Sequence, residues 1–392
     1  MNLTLRRPHH HHDHHGHHLL DAVRRKIVNF VRANTVFCIA LALAAVTSCI
    51  IPPDALYLNY PDLKTLTCLF CTLAVICALR NIRFFTILAR RIVTLTGNAR
   101  AAVLSLVYIT FIGSMLIAND MALLTFLPLG YFVLSTTGKE KYMAFTFVMQ
   151  NIAANLGGML TPFGNPQNLY LFSHFDIPTG EFMGIMAIPF AVSVVLITLC
   201  CLIFVRPEAL TLEKDDGKKL PAGRTVFYLI LFAFSILIVF RTVPYWTGLI
   251  VIPACLLFAD RDALKKVDYG LLGTFLCFFV FAGNMSRMEP VRALFSTLLE
   301  KNTLLVSALS CQFISNVPSA ILLSQFTENY RELLWGVNIG GAGTIIASLA
   351  SLITFREYTS HNPGKTGSYM KVFSALNFGF LGILAVVCMF LR

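Results

Sequence analysis

Residues Asn155–Leu169 read NLGGMLTPFGNPQNL, and residues Asn338–Leu352, NIGGAGTIIASLASL, align with them without a gap. The first asparagine, both adjacent glycines, the threonine and the last leucine are identical in the two copies. Both copies lie inside apolar segments, where Gly, Asn and Pro interrupt a helix. Interrupted apolar segments at matching places in two halves of a chain are typical of a transporter binding site. Glycine also serves close helix packing in membranes, but packing alone does not require a repeated Asn and Thr.

The composition indicates a membrane protein. The chain is 56% hydrophobic and 13% charged, with a mean hydropathy of +0.71, whereas a soluble domain is typically about 25% charged. The charges lie between apolar runs that approach the ~20 residues needed to cross a bilayer. We therefore predict an all-α polytopic membrane protein, because a β-barrel would show alternating polarity. The polar N-terminus and late first apolar run predict no cleavable signal peptide.

The net charge of +11 does not indicate a nucleic-acid partner, because the basic residues border apolar runs instead of forming one patch. The lipid bilayer is the partner that this pattern predicts. The 11 cysteines lie almost wholly in apolar runs. Cys68 and Cys71 form a C-x-x-C pair that no second pair or nearby His completes, so we expect small buried hydrophobic side chains.

Residues 1–33 are predicted to be a polar His-rich tail followed by a basic juxtamembrane helix. Such a tract fits three interpretations, which are the remnant of an expression tag, a disordered native tail, or a metal-binding tail. The histidines concerned are His9, His10, His11, His12, His14, His15, His17 and His18.

Lysine and arginine in short loops predict the orientation in a cell (inner or plasma) membrane. Arg24, Arg25 and Lys26 precede the first span, which places the N-terminus in the cytoplasm. The same reasoning predicts a first membrane half at 34–205, a cytoplasmic linker at 206–224, a second half at 225–392 and an external C-terminus. Nine full spans are predicted at 34–51, 63–79, 142–175, 182–205, 225–241, 243–259, 270–284, 332–355 and 369–391.

Each half is predicted to run in the order span, surface helix, hairpin, broken span, span. The first hairpin, 101–137, is interrupted at Ala118-Asn119-Asp120 and enters from the inside. The second hairpin, 303–327, is interrupted at Ser315-Asn316 and enters from the outside. The prediction is thus an inverted repeat with two re-entrant hairpins and two broken transmembrane helices. The surface helices are predicted at 81–98 and 285–301.

The hairpin interruptions carry groups that can bind ions. Asn119 and Asn316 lie at unwound helix ends, where free carbonyls can hold a cation and free N–H groups an anion. A single Asn there would more often be a helix cap, but two at matched breaks favour binding. Asp120 is an intramembrane carboxylate, which indicates an ion or proton pathway or a helix cap. The matching residue is Val317, so acid chemistry would be confined to one half.

We therefore predict a substrate- and ion-binding site built from both hairpin tips and both copies of the motif. Its residues are Asn119, Asp120, Asn155, Thr161, Gly164, Asn165, Ser315, Asn316, Asn338, Thr344, Ala347 and Ser348.

These motifs resemble those of the ion transporter superfamily over about residues 30–392. The tip at Ala118-Asn119-Asp120, before an apolar run that ends in Pro128, is similar to the first hairpin of that family. The Asn155 motif, with Gly164-Asn-Pro-Gln-Asn, resembles its Gly-x-Pro-x-Asn loop, and the second tip and motif resemble the second-half counterparts. The superfamily includes citrate and dicarboxylate carriers, arsenical pump membrane proteins and sodium/proton antiporters.

The resemblance implies that Asn119 and Asn316 contact substrate and help to form two sodium sites with Gly164 and Ala347. It also implies a homodimer and, for the arsenical pump branch, a separate ATPase subunit. Dicarboxylate carriers usually read Ser-Asn-Thr at both tips, whereas this chain reads Ala-Asn-Asp and Ser-Asn-Val. Citrate-like and arsenite-like cargo therefore both stay open.

We predict a secondary active transporter of a small anion or oxyanion, citrate- or carboxylate-like, that works by alternating access. It would use no cofactor, with Na⁺ or H⁺ as the coupling ion. The alternatives are an arsenite or antimonite efflux permease and a sodium/proton antiporter. No Walker A pattern is present, and His-Glu-x-x-His and a second intramembrane aspartate are missing too. ATP hydrolysis and an intramembrane protease are therefore not expected, and a channel is the weaker alternative.

Overall fold

The computed structural model describes residues 28, 30, 31, 34–210 and 219–392. These residues fold as helices, and no strand forms among them apart from an isolated bridge between Asn98 and Ala209. The all-α class is thereby confirmed. The predicted His-rich tail, the basic residues ahead of the first span and residues 211–218 of the linker lie outside the described residues.

The first half holds eight α-helices, separated by short turns. They are α1 (Thr35–Ile50), α2 (Leu63–Asn81), α3 (Phe84–Thr94), α4 (Ala99–Ile117), α5 (Asn119–Thr136), α6 (Met143–Gly157), α7 (Pro166–His174) and α8 (Thr179–Phe204).

The second half holds nine more. They are α9 (Ala222–Val239), α10 (Tyr245–Ala259), α11 (Arg261–Lys265), α12 (Tyr269–Ser286), α13 (Glu289–Ile314), α14 (Asn316–Leu323), α15 (Tyr330–Ile339), α16 (Leu349–His361) and α17 (Thr366–Phe390).

Short polar side chains start several of these helices where the apolar runs begin. The carboxylate of Asp62 accepts the N–H of Thr65 at 3.0 Å, and Asp268 accepts that of Leu271 at 2.8 Å. Such caps satisfy N–H groups that have no partner within the helix. The first turns of α2 and α12 are thus fixed at the ends of the helix bundle, and the apolar residues that follow pack in the interior of the bundle.

Among the described residues, six helices are long and apolar enough to cross a membrane: α2, α4, α8, α9, α12 and α17. Two shorter apolar helices, α1 and α10, contain 16 and 15 residues. The chain is therefore a multi-pass membrane protein. Nine full spans stay a prediction, since two of them would each consist of a pair of short helices, α6 with α7 and α15 with α16.

Both hairpin regions are interrupted where the sequence predicts. Helix α4 ends at Ile117 and α5 begins at Asn119, while α13 ends at Ile314 and α14 begins at Asn316. Within α13, Asn302 has a non-helical backbone (φ −163°, ψ 89°). This kink separates the predicted surface helix from the first arm of the second hairpin.

Polar contacts between loops divide the molecule into two ends. At the basic end, residues from 80–98, 137–142, 206–210, 260–268 and 361–366 meet. Its contacts include Lys139 Nζ–Glu208 Oε2 (2.9 Å), Asn81 Nδ2–Asp260 Oδ2 (3.0 Å) and the stacked rings of Tyr131 and His361 (3.8 Å).

The opposite end collects the other loops. Its contacts are Arg287 Nη2–Asp54 Oδ2 (2.7 Å), Arg241 Nη1–Asp176 Oδ1 (2.8 Å), Tyr330 OH–Glu181 Oε1 (2.7 Å) and Arg392 Nε–Glu332 Oε1 (2.8 Å). The ion pairs found in the described part of the chain each join residues of one end. The charge pattern likewise predicts two sides, and the assignment of the basic end to the cytoplasm stays a prediction.

Candidate functional site

The two hairpin tips share one unusual backbone conformation. Ala118 has φ 62° and ψ 151°, and Ser315 has φ 75° and ψ 160°. A positive φ with an extended ψ is a region that glycine occupies almost alone. Neither position is a glycine, so each tip stores backbone strain at the same point.

The asparagine after each strained residue makes the same bond within the first turn of the next helix. Asn119 Oδ1 accepts the N–H of Asp120 at 2.9 Å, and Asn316 Oδ1 accepts that of Val317 at 2.9 Å. The Asn119 amide also donates to Asn155 Oδ1 at 3.2 Å. A first-turn N–H is thereby satisfied at both tips, and the first tip is joined to the first copy of the motif.

The two copies of the repeated motif form hydrogen bonds to the hairpins at equivalent positions. Thr161 Oγ1 donates to the carbonyl of Met115 at 2.9 Å, and Thr344 Oγ1 to that of Gln312 at 3.0 Å. Met115 and Gln312 each lie three residues before the strained residue of their tip. The two threonines of the repeated motif therefore make the same bond.

Glycine permits this close approach. A Cβ at Gly157 would lie 2.3 Å from the carbonyl oxygen of Phe111, and a Cβ at Gly340 would lie 3.0 Å from the Cα of Ala308. These pairs are also equivalent, because Phe111 and Ala308 each lie seven residues before the strained residue of their tip. A side chain at Gly157 would push the first hairpin away from its motif.

The two copies of the motif bind each other reciprocally. Asn155 Nδ2 donates to Ser348 Oγ at 3.1 Å, and Asn165 Nδ2 donates to Asn338 Oδ1 at 3.3 Å. In the alignment of the copies, Asn155 matches Asn338 and Asn165 matches Ser348. Exchange of partners between equivalent residues is the contact pattern of a two-fold axis.

A cavity of about 360 Å³ lies where these elements meet. We call it the central cavity. Its volume is in the range of small-molecule sites, about 300–1,000 Å³. Five of the predicted site residues line it: Asn119, Asp120, Ser315, Asn316 and Ser348. Both hairpin tips thus face the same space.

The other predicted site residues support this lining from behind. Asn155, Asn165 and Asn338 are buried in the amide network, and Thr161 and Thr344 hold the hairpins. Gly164 packs on the carbonyl of Gly158, which would be 2.4 Å from a Cβ there. The carbonyl of Ala347 accepts a hydrogen bond from Ser315 Oγ at 3.3 Å.

Several buried oxygens at the site have no hydrogen-bond donor among the described residues. They are Asp120 Oδ1, Asn165 Oδ1 and Gln167 Oε1. A buried acceptor without a donor is costly unless water, a proton or a cation satisfies it. Oxygen acceptors are also the ligands that hard cations prefer. These three oxygens are therefore open to a water molecule, a proton or a cation.

Asp120 lies in the first turn of α5, where the helix dipole favours a negative charge. Besides the central cavity, it lines a smaller cavity of about 70 Å³ together with Asp268. Elsewhere in the part of the chain that the structure describes, no three His, Cys, Asp or Glu side chains come together as a metal site.

The polar residues of the central cavity that sequence reasoning missed include Gln167 and Arg356. Arg356 is exposed and carries the basic group of the described lining. It lies on the face of α16 that also includes Leu349 and Leu352, at the helical spacing i, i+3, i+7. That spacing from the motif was the signal that could have identified it.

The central cavity continues toward the basic end. It shares Thr35, Leu352 and Arg356 with an adjoining space of about 110 Å³ that also contacts Asn34 and Asp268. Thr35 begins α1, and Asn34 and Asp268 directly precede α1 and α12 at the basic end. The two spaces thus meet on the side of the basic end.

Comparison with known proteins gives a consistent result. The sequence profile of a family described as citrate transporter matches residues 23–335. An uncharacterized transporter of Methanocaldococcus jannaschii is 34% identical over 295 residues, which cover 75% of this chain and 80% of that protein. The inner membrane protein YbiR of Escherichia coli is 28% identical over 282 residues, 70% of this chain and 74% of that protein.

Proposed function

This chain belongs to the citrate transporter family and is a membrane transporter, and from that premise we propose that it is a secondary active carrier of a small anion. The observation that carries the proposal is the meeting of two matched hairpin tips in one cavity. A channel would need no such pairing of strained tips. Alternating access, with the tips moving against a static scaffold, explains why each half contributes one.

The proposal includes an inverted repeat with opposed re-entrant hairpins. The reciprocal bonds of Asn155 with Ser348 and of Asn165 with Asn338 support it, as do the equivalent bonds of Thr161 and Thr344. Backbone that is not helical at membrane depth is tolerated where protein or a water-filled cavity covers it. Both tips meet that condition, because they face the central cavity.

A citrate-like carboxylate is the substrate that the cavity favours. Amides of Asn119 and Asn316 and hydroxyls of Ser315 and Ser348 offer donors to carboxylate oxygens. Arg356 adds a positive charge on the path to the basic end, and its guanidinium can bind a carboxylate with two parallel hydrogen bonds. A site lined in this way would both attract and orient an anion.

Na⁺ or H⁺ is proposed as the coupling ion, with Asp120 as its site. The carboxylate is part-buried and one of its oxygens has no donor among the described residues. A proton or a sodium ion would satisfy that oxygen and neutralise a charge that is costly within a membrane. The homodimer that the family resemblance implies is part of the same proposal.

Arsenite or antimonite efflux is the second candidate, and the Ala118-Asn119-Asp120 tip favours it. A sodium/proton antiporter would use the same carboxylate without an organic substrate. A separate ATPase subunit belongs to the efflux candidate alone. Transport of citrate, arsenite and sodium by purified protein in proteoliposomes would distinguish the three.

The test compares Asn119→Ala and Asn316→Ala with wild type in that assay. A hydrogen bond to a charged group contributes about 1.5–3 kcal/mol, so each variant should lose about tenfold to a hundredfold in kcat/KM. Asn284→Ala is the matched control, since Asn284 is fully buried and bonded to Thr47 and Ser48 but does not line the central cavity. Near-normal transport by both tip variants would refute the proposed site.

A further inference from the structure

A second cleft, separate from the central cavity, lies at the basic end between α3 and the hairpin helix α5. Its volume is about 470 Å³. The lining residues are Arg80, Arg83, Phe85, Thr86, Arg90, Leu124, Thr125, Pro128, Leu129 and Phe132. We call it the arginine cleft. The proposed transport cycle makes no use of it.

The charged groups of the arginine cleft are all positive. Three arginines line it, and the described lining includes no acidic residue. Arg80 Nη1 donates to the thioether of Met121 at 2.9 Å, and a thioether is only a weak acceptor. Neither Arg80 nor Arg83 forms an ion pair among the described residues. Arg80 and Arg83 therefore offer strong donors and positive charge to an anion.

The backbone adds further donors. Arg83 adopts the left-handed conformation, with φ 58° and ψ 27°, and no side chain caps α3 there. Phe85 and Thr86 belong to the first turn of α3 and line the cleft, and the first N–H groups of a helix have no partner within it. An uncapped helix N-terminus is an anion site, and here three arginines accompany it. Both features select a compact anion such as a phosphate group.

Apart from Thr86 and Thr125, the remaining walls are apolar, which distinguishes a lipid from a soluble anion. Leu124 and Phe132 on α5, which line the cleft, are 47% and 40% exposed. Helix α3 buries Ile87, Ala89 and Val93, which do not line the cleft, against the rest of the protein. A soluble phosphate would gain nothing from exposed apolar walls, whereas acyl chains would cover them.

We propose that the arginine cleft binds the phosphate-bearing headgroup of an anionic phospholipid, with its acyl chains against α3 and α5. Basic pockets between helices at one membrane face are suited to such headgroups. Because α5 carries Asp120 and Arg80 contacts the neighbouring Met121, a bound lipid would brace the first hairpin. The proposal depends on the membrane location and not on which substrate is carried.

The test titrates the purified full-length protein with dioctanoyl phosphatidylglycerol and follows its melting temperature, since a ligand that binds the native state raises apparent stability. We expect a saturable rise with phosphatidylglycerol and none with dioctanoyl phosphatidylcholine or inorganic phosphate. Arg80→Gln and Arg83→Gln should each weaken the apparent affinity about fivefold, as loss of one basic residue near a headgroup predicts. Arg80→Lys keeps the charge and should bind more tightly than Arg80→Gln.

Arg261→Gln is the matched control, because Arg261 is an exposed arginine of the same end that lies outside the cleft. It should leave the titration unchanged. Equal stabilisation by the two lipids, or wild-type affinity in both arginine variants, would overturn the proposal. A rise that inorganic phosphate reproduces would show a site for a soluble anion and would overturn the lipid assignment. None of these results depends on the transport assay.

Discussion

Asp120 is the residue in which the two halves differ most in chemistry. It lines the central cavity as the carboxylate of the described lining, while the equivalent position holds Val317. Asn119 Oδ1 accepts the N–H of Asp120 as Asn316 Oδ1 accepts that of Val317, and Asp120 Oδ1 itself has no hydrogen-bond donor among the described residues. A group that is costly in a membrane and has no structural counterpart in the other half is best explained by a function.

Asp120→Asn tests this function, because it keeps the size of the side chain and removes its charge. We expect uphill transport to fall at least tenfold, while exchange of substrate down its gradient survives. The reason is that an amide can neither release a proton nor neutralise a cation. The measurement is concentrative uptake or efflux in proteoliposomes with an imposed sodium or pH gradient, compared with exchange in the same vesicles.

Asp62→Asn provides the control, since Asp62 caps α2 and lies outside the central cavity. It should alter stability without altering the ratio of uphill transport to exchange. If Asp120→Asn still transports uphill with unchanged pH and sodium dependence, Asp120 has no part in coupling.

The repeated motif is the reason that several residues of the central cavity could be predicted from the sequence. Asn119, Asn316 and Ser348 line the central cavity as expected, because matched interruptions in apolar runs have few structural explanations. Arg356 was missed, because a lone arginine near a helix end normally indicates a membrane boundary. Its place beside the cavity depends on how α16 is rotated, and that follows from packing rather than from local sequence.

At the scale of helices, each hairpin interruption contains a residue with a strained backbone. A non-glycine residue in this region of φ and ψ costs on the order of 1–3 kcal/mol. Ser315 recovers part of that cost through its bond to the Ala347 carbonyl. Ala118 has no side-chain group with which to form such a bond, so it is the cleaner position at which to measure the strain.

Ala118→Gly should therefore stabilise the protein by about 0.5–2 kcal/mol, since relief of strain exceeds the 0.5–1 kcal/mol of extra chain entropy that glycine loses on folding. The measurement is the free energy of unfolding, or the melting temperature, of purified protein in detergent. Ala122→Gly is the control, because Ala122 is buried within α5. It should destabilise by at least about 0.5–1 kcal/mol. Equal losses in both variants would show that Ala118 is not strained.

The sequence predicted the positions of these helices, but it did not predict the length of every helix. The predicted spans at 63–79 and 369–391 correspond to α2 and α17 within three residues at each end, because apolar runs bounded by charge are unambiguous. The surface helix predicted at 81–98 is shorter, Phe84–Thr94. Arg83 turns the chain with a positive φ, and a left-handed arginine has no recognisable sequence signal.

Across the whole molecule, one carboxylate joins the linker to the first half at the basic end. Glu208 accepts hydrogen bonds from Lys141, Lys139 and Tyr142. Those bonds lower the pKa of the Glu208 carboxyl from 4.5 to about 2. Because the folded pKa is the lower one, the contribution to stability is complete above pH 4.5 and is lost as the pH falls toward 2.

Glu208→Gln should thus lower the melting temperature at neutral pH, and the gap to wild type should close progressively below pH 4.5. Melting curves of both proteins at a series of pH values provide the measurement. Glu140→Gln is the control, since Glu140 is a neighbouring exposed carboxylate; it should show no such gap. A gap that stays constant down to pH 3 would contradict the assignment of the lowered pKa.

The orientation of the molecule is the last prediction, and it combines two independent observations. Loops joined by polar contacts fall into two ends, and basic residues predominate at the end that contains α3, α11 and the linker. Lysine and arginine of short loops are retained in the cytoplasm, so the basic end should face inward. The test uses a background variant in which Cys38 and the exposed Cys49 are replaced by serine. In that background, Lys219→Cys probes the basic end and Glu328→Cys the opposite end. Both positions are exposed. An impermeant maleimide should label Glu328→Cys in intact cells and Lys219→Cys only after permeabilisation. The reverse pattern would invert the topology while preserving the two ends, whereas labelling of both from outside would refute the division itself.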